Sequence, residues 1–367
     1  MLSYVLRRLA FIPLTILGIL FINFAIVQVA PGGPVEYVLL NLKASAVDAA
    51  GHLTAGRGQD MHQASSGPVG DPGSVYRGAQ GLDPTFIKDL ERQFGFDKPT
   101  HERFLIMVKN YLTFDLGKSY YRDTGVLSLV FEKLPVSISL GLWSTLIIYM
   151  VSVPLGIAKV IHDGSRFDVA TSSIIITSHA IPGFLFAIML IIFFAGGRYL
   201  DWFPLRGLTS DDWQILTWPE RIADYFWHIT LPVTAMTIGS FATLTLLTKN
   251  AFLDEIGKQY VITARAKGLS ERQVLYGHVF RNAMLLVVAA FPRTLVSLLF
   301  TGSVLIEVIF SLDGLGLLGF EAAQHRDYPV VFGTLYFFGL IGLLLNVISD
   351  VTLHLVDPRI DFERKET

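Results

Sequence analysis

The chain contains no cysteine. That excludes disulfides, thiolate metal sites and a cysteine nucleophile, and it leaves the redox compartment open. Charge is scarce as well: 16% of the 367 residues are Asp, Glu, Lys or Arg, against about 25% in ordinary soluble domains. The charges nearly cancel, with 29 basic and 31 acidic residues, so there is no basic excess to serve as a nucleic-acid footprint. Catalytic signatures are also missing. Gly117-Lys118-Ser119 has Leu112 where a phosphate-binding loop needs a glycine. His101-Glu102 lacks the second histidine of a zinc-hydrolase helix, and no Gly-x-Ser-x-Gly elbow occurs. The sequence reads as a non-enzyme that binds no cofactor or metal of its own.

Apolar surface is what the chain has in excess. Apolar residues make up 52% of it, and the mean hydropathy is +0.51. The hydrocarbon core of a bilayer is about 30 Å thick and takes roughly 20 apolar helical residues to cross. Six runs of about that length stand out, at 9–29, 136–157, 172–195, 229–248, 283–310 and 331–353. The expected fold is therefore an all-α integral membrane protein with six transmembrane helices. The fifth run carries Arg293, at a cost of about 2.5 to 3.5 kcal/mol near a helix centre, which its Leu, Val and Phe flanks offset. The first run is longer than a signal-peptide core of about 7 to 15 residues. It leads into Pro31-Gly32-Gly33-Pro34 rather than a small-x-small cleavage site, so it reads as an uncleaved anchor.

Lys and Arg in short loops mark the cytoplasmic side. With the N-terminus inside, the inner segments hold thirteen of them, from Arg7 and Arg8 to Arg364 and Lys365. The two short outer loops hold only Arg198, Arg206, Arg221 and Arg326. Both termini are expected in the cytoplasm. The long outer segment, 31–133, has two textures. Residues 44–81 are rich in Gly, Ala, Gln and Ser and cannot bury enough apolar surface to offset the entropy of ordering, so mobility is expected there. Over 83–121 apolar residues return at helical spacing, with Phe86, Ile87 and Leu90, then Phe104, Val108, Tyr111 and Leu112. This stretch is expected to form a helical cap on the outer face.

Pro13, Pro154, Pro182, Pro232 and Pro292 put one proline in each of the first five runs. Ordinary enrichment of proline in membrane helices accounts for most of them. Pro182-Gly183, beside His179, is the exception, a candidate break in the translocation path. The inner loop 249–282 is the most informative stretch. Asp254 to Lys267 favours a helix, Gly268 can adopt the positive φ that ends one, and Ser270 with Gln273 forms a capping box for a second. The loop thus draws a helix-turn-helix under the membrane. Ala264 and Ala266 permit close approach, while Arg265, Lys267 and Arg272 offer charge-assisted bonds to a partner. An amphipathic loop resting on lipid headgroups is the other reading of the same residues.

Tyr260-Val261-Ile262-Thr263-Ala264-Arg265-Ala266-Lys267-Gly268-Leu269 and His278-Val279-Phe280-Arg281-Asn282-Ala283 resemble the permease signature of ATP-binding-cassette (ABC) importers in its peptide-transporter version. Further stretches are similar to dipeptide and oligopeptide permeases: Ala30 to Pro34, Phe94 to Pro99, Phe114-Asp115-Leu116-Gly117, His228 to Pro232, Gly302, Glu307, Gly314-Leu315-Gly316, Arg326-Asp327-Tyr328-Pro329 and Asp357-Pro358-Arg359. The wording sits nearest the Yej-type branch of that family. Asp313, where a proline is common, and Arg293, where an uncharged residue is usual, depart from the pattern.

The resemblance implies a type I ABC importer permease fold in the bacterial inner membrane. An N-terminal segment and first span (1–30) would precede a periplasmic insertion (31–133) and a permease core (134–367). It also implies partners: a second homologous permease, two ATPase subunits that use ATP and Mg, a periplasmic binding protein, a peptide substrate and membrane lipid. Tyr260, Ala264, Arg265, Gly268, His278, Arg281 and Asn282 would then contact the ATPase, and His179, Pro182 and Glu307 would belong to the path or its gate. The rival class is an ion-gradient-driven secondary transporter or channel subunit. Such proteins place ionisable groups near the bilayer midplane, where this sequence offers only His179 and Arg293.

Overall fold

The computed structural model describes residues 2–29, 98–197, 199–298 and 304–356. Within them the chain is helical, apart from one isolated bridge between Lys118 and Gly125. The stretch 44–81, expected to be mobile, lies outside the described residues, as do Pro31 to Pro34, Gly302 and Asp357 to Arg359. The helices are α1 (Leu2–Val29), α2 (Thr100–Leu112), α3 (Val126–Ile161), α4 (Arg166–Ala180), α5 (Gly183–Phe194), α6 (Trp218–Ile238) and α7 (Ser240–Ile256). They continue with α8 (Gln259–Ala266), α9 (Glu271–Ser297), α10 (Val304–Ile309), α11 (Leu315–Gln324) and α12 (Tyr328–Val356).

Four helices, α1, α3, α9 and α12, are long and apolar enough to cross a bilayer alone. The third and fourth apolar runs are instead bent pairs, α4 with α5 at 94° and α6 with α7 at 54°. The first bend follows from Pro182, which has no N–H to donate and pushes the residue before it out of the helical region. Ile181 is accordingly extended, at φ −83° and ψ 119°. Pro13, Pro135, Pro154, Pro232 and Pro292 all lie inside continuous helices. The fourth run therefore bends at Gly239, seven residues beyond its proline.

The fifth run differs from its expected bounds at both ends. Its helix starts at Glu271, widens into a π-turn over Leu275–Val279, and continues as Phe280–Ser297. The second helix of the inner loop and the fifth span are thus one helix. Its first turns are amphipathic, so a rule based on apolar length passes over them. Val304–Ile309 forms a separate short helix that ends just before Ser311, at φ +50°.

The chain forms two compact units. The first comprises Met1–Leu14, Leu129–Glu321 and Phe337–Thr367. It holds two apolar cores. One gathers Leu140 and Ile148 of α3, Ala187 and Leu190 of α5, Ile229 and Val233 of α6, and Ile306 of α10. The other gathers Ile157 and Val160 of α3, Phe252 of α7, Val261 and Ala264 of α8, and Val274, Val279 and Ala283 of α9.

The second unit comprises Thr15–Ser128 and Ala322–Tyr336. In it Phe104 of α2 meets Phe21 and Phe24 edge-on at 5.9 and 5.3 Å, and Tyr111 meets Tyr336 at 5.3 Å. Leu112, next in the same apolar series, is 59% exposed. Adjacent residues lie about 100° apart on a helix, and Tyr111 holds the inner position. The loop after α2 is tied by Asp327, which accepts from the Ser119 hydroxyl and from the Tyr120 N–H at 3.1 Å. Two stretches of the sequence resemblance, Phe114 to Gly117 and Arg326 to Pro329, therefore belong to one folded unit.

Candidate functional site

The inner loop forms a stiff elbow. The sequence suggested one helix from Asp254 to Lys267, but the structure divides it: α7 ends at Ile256, Gly257 intervenes, and α8 starts after an extended Lys258. Gly268 then closes α8 at φ +81°, a conformation that only glycine adopts without strain. Ser270 caps α9 by the reciprocal pair expected, its N–H donating to Gln273 Oε1 at 3.0 Å and its Oγ accepting from the Gln273 N–H at 3.4 Å. Arg265 reaches across the turn and donates twice to Glu271, at 2.9 and 3.0 Å. Its guanidinium fork is thus engaged within the elbow.

Each elbow residue faces either the core or the surface. Val261 and Ala264 are buried against Val274, Leu275 and Val279. Ala264, expected at the ATPase contact, has its small side chain turned inward, which lets α8 sit close on the chain's own core. Arg265, Lys267, Gly268, Arg272, His278, Arg281 and Asn282 are exposed. So are two large apolar side chains, Ile262 at 51% and Tyr276 at 52%. A depression of about 640 Å³ is lined by Ser270, Arg272, Gln273, Tyr276 and Gly277. The Tyr260 hydroxyl donates to Glu255 at 2.7 Å and also pairs with Asn282. Burial, seconded by the Glu255 carboxylate, pushes the Tyr260 phenol up, so it stays a neutral donor at physiological pH. Tyr260 and Asn282 are thus brought together, whereas His278 and Arg281 stand on the open surface of α9.

A charged cluster that sequence reasoning missed ties together the helices leading into the elbow. Lys159 of α3 is fully buried. Its ammonium reaches Asp168 Oδ1 at 2.8 Å, the Asp168 carbonyl at 2.8 Å, and the hydroxyls of Thr171 and Ser172 at 2.8 and 2.7 Å. The other oxygen of Asp168 pairs with Lys249 of α7 at 2.7 Å, and Lys249 also pairs with Asp163. A buried charge is tolerated only when paired and hydrogen-bonded; Lys159 is both, and each oxygen of Asp168 is paired with an ammonium. Close packing reinforces it, because a Cβ at Gly156 would lie 2.7 Å from Thr248 Cβ and 2.9 Å from the Thr245 carbonyl. The available signal in the sequence was the group of Lys159, Asp163 and Asp168 at adjoining ends of two apolar runs.

The two bends are joined directly. His179 Nδ1 donates to the Gly239 carbonyl at 2.6 Å, at the bend between α6 and α7. Gly183 opens α5 against the Ala235 carbonyl, which would stand 3.3 Å from a Cβ there. His179 and Pro182 therefore share one break, as their proximity in sequence suggested.

Glu307 belongs to another place. It is fully buried, accepting from the Ser137 hydroxyl at 2.8 Å and from the Leu317 N–H at 2.8 Å. The Leu315 N–H in turn donates to Ser137 Oγ at 2.9 Å. The carboxylate sits at the N-terminal turn of α11, where free N–H groups favour an anion. Gly314 and Gly316 leave room for it: a Cβ at either would come within 3 Å of its oxygens. Asp313, one of the departures from the family pattern, pairs with the buried Lys133.

Broken membrane helices around a rigid elbow describe a multi-pass membrane transporter, and among the described residues no group of His, Asp and Glu is arranged to hold a metal ion. Residues 148–362 match the family described as "Binding-protein-dependent transport system inner membrane component", and the chain belongs to that family. It is 58% identical over 364 residues to the peptidoglycan transport system permease protein YejB of Agrobacterium fabrum, covering 99% of each chain. It is equally similar, at 58% over 98% of this chain and 99% of the other, to the inner membrane ABC transporter permease protein YejB of Escherichia coli O157:H7. Identity to the dipeptide transport system permease protein DppB of Bacillus subtilis is 31%, over 80% of this chain and 90% of that one. The protein is thus a multi-pass inner-membrane permease component of an ATP-driven importer, and in this family separate subunits hydrolyse the ATP.

Proposed function

We propose that the chain forms half of a peptide translocation path, paired with a second homologous permease and loaded by a periplasmic binding protein. Peptide cargo is supported by the peptidoglycan and dipeptide relatives. In this reading the chain crosses the membrane six times, counting each bent pair as one span, with both termini in the cytosol and 31–133 as an outer insertion. The elbow 249–282 docks an ATPase subunit that uses ATP and Mg. The observation that carries the reading is the elbow's two-sidedness, with Val261 and Ala264 anchored inward while Ile262, Arg272 and Tyr276 are presented outward. An exposed apolar pair beside basic side chains fits a protein partner. His179 and Pro182 mark the hinge of the path, and Glu307 holds the turn of its outer gate.

Gly268→Val tests this. A β-branched side chain at φ +81° is a strong backbone outlier and distorts the turn between α8 and α9. In vesicles carrying the whole complex, membrane insertion should be unchanged while peptide uptake per ATP hydrolysed falls about 10-fold, equivalent to about 1.4 kcal/mol of lost coupling. Unchanged uptake per ATP would overturn the assignment of the elbow. Uptake by the purified chain alone, driven by an ion gradient, would overturn the reading as a whole.

A further inference from the structure

Arg293 is the charge that the permease reading leaves without a task. Its nearest charged neighbours in sequence are Arg281 and Glu307, so it is the only charge within 282–306. At 1.5 Å per residue it lies about 18 Å along the helix from Arg281, which brings it near the middle of a hydrocarbon core about 30 Å thick. The side chain is exposed, and among the described residues it makes no ion pair or hydrogen bond. It shares its helix face with the exposed Asn282, Leu286 and Ser297, at spacings of four, seven and four, while Ala283 and Val287 face the core. A guanidinium at that depth does not face acyl chains; it faces water or another polar group.

We propose that Arg293 lines the translocation path and receives the C-terminal carboxylate of the peptide as it passes the bilayer centre. This rests on the peptide-importer reading above. Charge complementarity selects the occupant: a free peptide brings an anionic carboxylate to the depth where desolvation of an anion is most costly, and a guanidinium offers it a bidentate donor fork.

The test uses the complete complex in vesicles with saturating binding protein, and trialanine as the free acid and as the C-terminal amide. Uptake of each form is normalised to its occupancy of the binding protein. Arg293→Gln should lower the acid-to-amide uptake ratio about 10- to 100-fold, the range expected for one lost charge-assisted bond. Arg293→Lys should restore part of it, and the second permease should co-purify in every case. An unchanged ratio overturns the proposal. So does loss of the second permease from the Arg293→Gln complex, which would place the guanidinium at the subunit interface instead. Wild-type vesicles that import neither form would overturn the peptide reading itself, and this assignment with it.

Discussion

A methyl group placed on Gly314 would run into one side chain. Its three nearest atoms all belong to Glu307, at 2.5 Å from Cδ, 2.5 Å from Oε2 and 2.7 Å from Oε1. Gly314 does not occupy the left-handed region, so alanine meets no backbone objection there, and the cost of Gly314→Ala is that of overpacking, about 1 to 3 kcal/mol. Glu307→Ala strands two donors, the buried Ser137 hydroxyl and the half-buried Leu317 N–H, each at 2.8 Å from the carboxylate. At about 1 to 3 kcal/mol for each stranded group, it should destabilise by about 2 to 6 kcal/mol. Together the two changes should not add, because removal of the carboxylate also removes the atoms the new methyl would strike. The double variant is expected to be at least about 1 kcal/mol more stable than the sum of the singles. Gly316→Ala serves as the control. Its Cβ would also lie 2.9 Å from the backbone Cα of Val304, so loss of Glu307 cannot relieve it. Unfolding by SDS in mixed micelles, followed by tryptophan fluorescence, yields the free energies. Additivity of Gly314→Ala and Glu307→Ala to within about 0.5 kcal/mol would refute the placement of the carboxylate against the glycine turn.

Other substitutions probe the remaining parts. Gly156→Val should destabilise by about 1 to 3 kcal/mol in the same titration, since its Cβ meets both Thr248 and a backbone carbonyl; a neutral result would show that α3 and α7 do not pack so closely. Asp327→Ala should free the loop 113–125 and speed its cleavage by added protease severalfold, and an unaltered cleavage rate would show that the Ser119 and Tyr120 bonds do not hold it. His179→Ala should leave assembly with the ATPase intact and change the uptake rate by about 5-fold, as loss of a bond worth about 1 kcal/mol at the hinge implies; identical uptake would remove His179 from the path. Glu271→Ala and Arg265→Ala should each alter stability by no more than about 1 kcal/mol, because their ion pair is exposed, and a much larger effect would mean the elbow depends on that pair.

The parts legible in the sequence are those carried by local chemistry. Gly268, Ser270 and Gln273 announce the turn and cap of the elbow because glycine conformation and capping depend on neighbours a few residues away. Pro182 announces its break for the same reason. Gly239 does not: it sits in an uninterrupted apolar run where Pro232 is the more obvious breaker, and the bend is seen only in the structure, where His179 engages the Gly239 carbonyl. The inward turn of Ala264 is set by which face of α8 meets Val274 and Val279, and an eight-residue helix has too short a pattern to declare it. Glu307 is bound by Ser137, 170 positions earlier in the chain. The pairing of Lys159 with Asp168 and Lys249 joins three helices, and no local rule says which charges at the ends of apolar runs will be buried together.

These different strengths decide where the first unit bends under load. The ends of α3, α4 and α7 are knit by buried ion pairs, and the second apolar core fastens α8 and the start of α9 to them. Breaking a buried pair leaves an uncompensated charge, which is strongly unfavourable. The two bends at 181–182 and 239 carry no ion pair among the described residues and are bridged by the hydrogen bond from His179 to a backbone carbonyl, with a net worth of about 1 kcal/mol, and by apolar packing. Under the proposed coupling, an ATPase pushing on the elbow therefore meets a block that moves as one body. The displacement has to be taken up at the bends, where one bond is lost and can be re-formed. Transport requires two states that a partner's contact can distinguish, and a block held by buried ion pairs and ending in two breaks gives those states a place to differ, with the first apolar core, which packs α3 against α5, α6 and Leu244 of α7, adjusting across the bends.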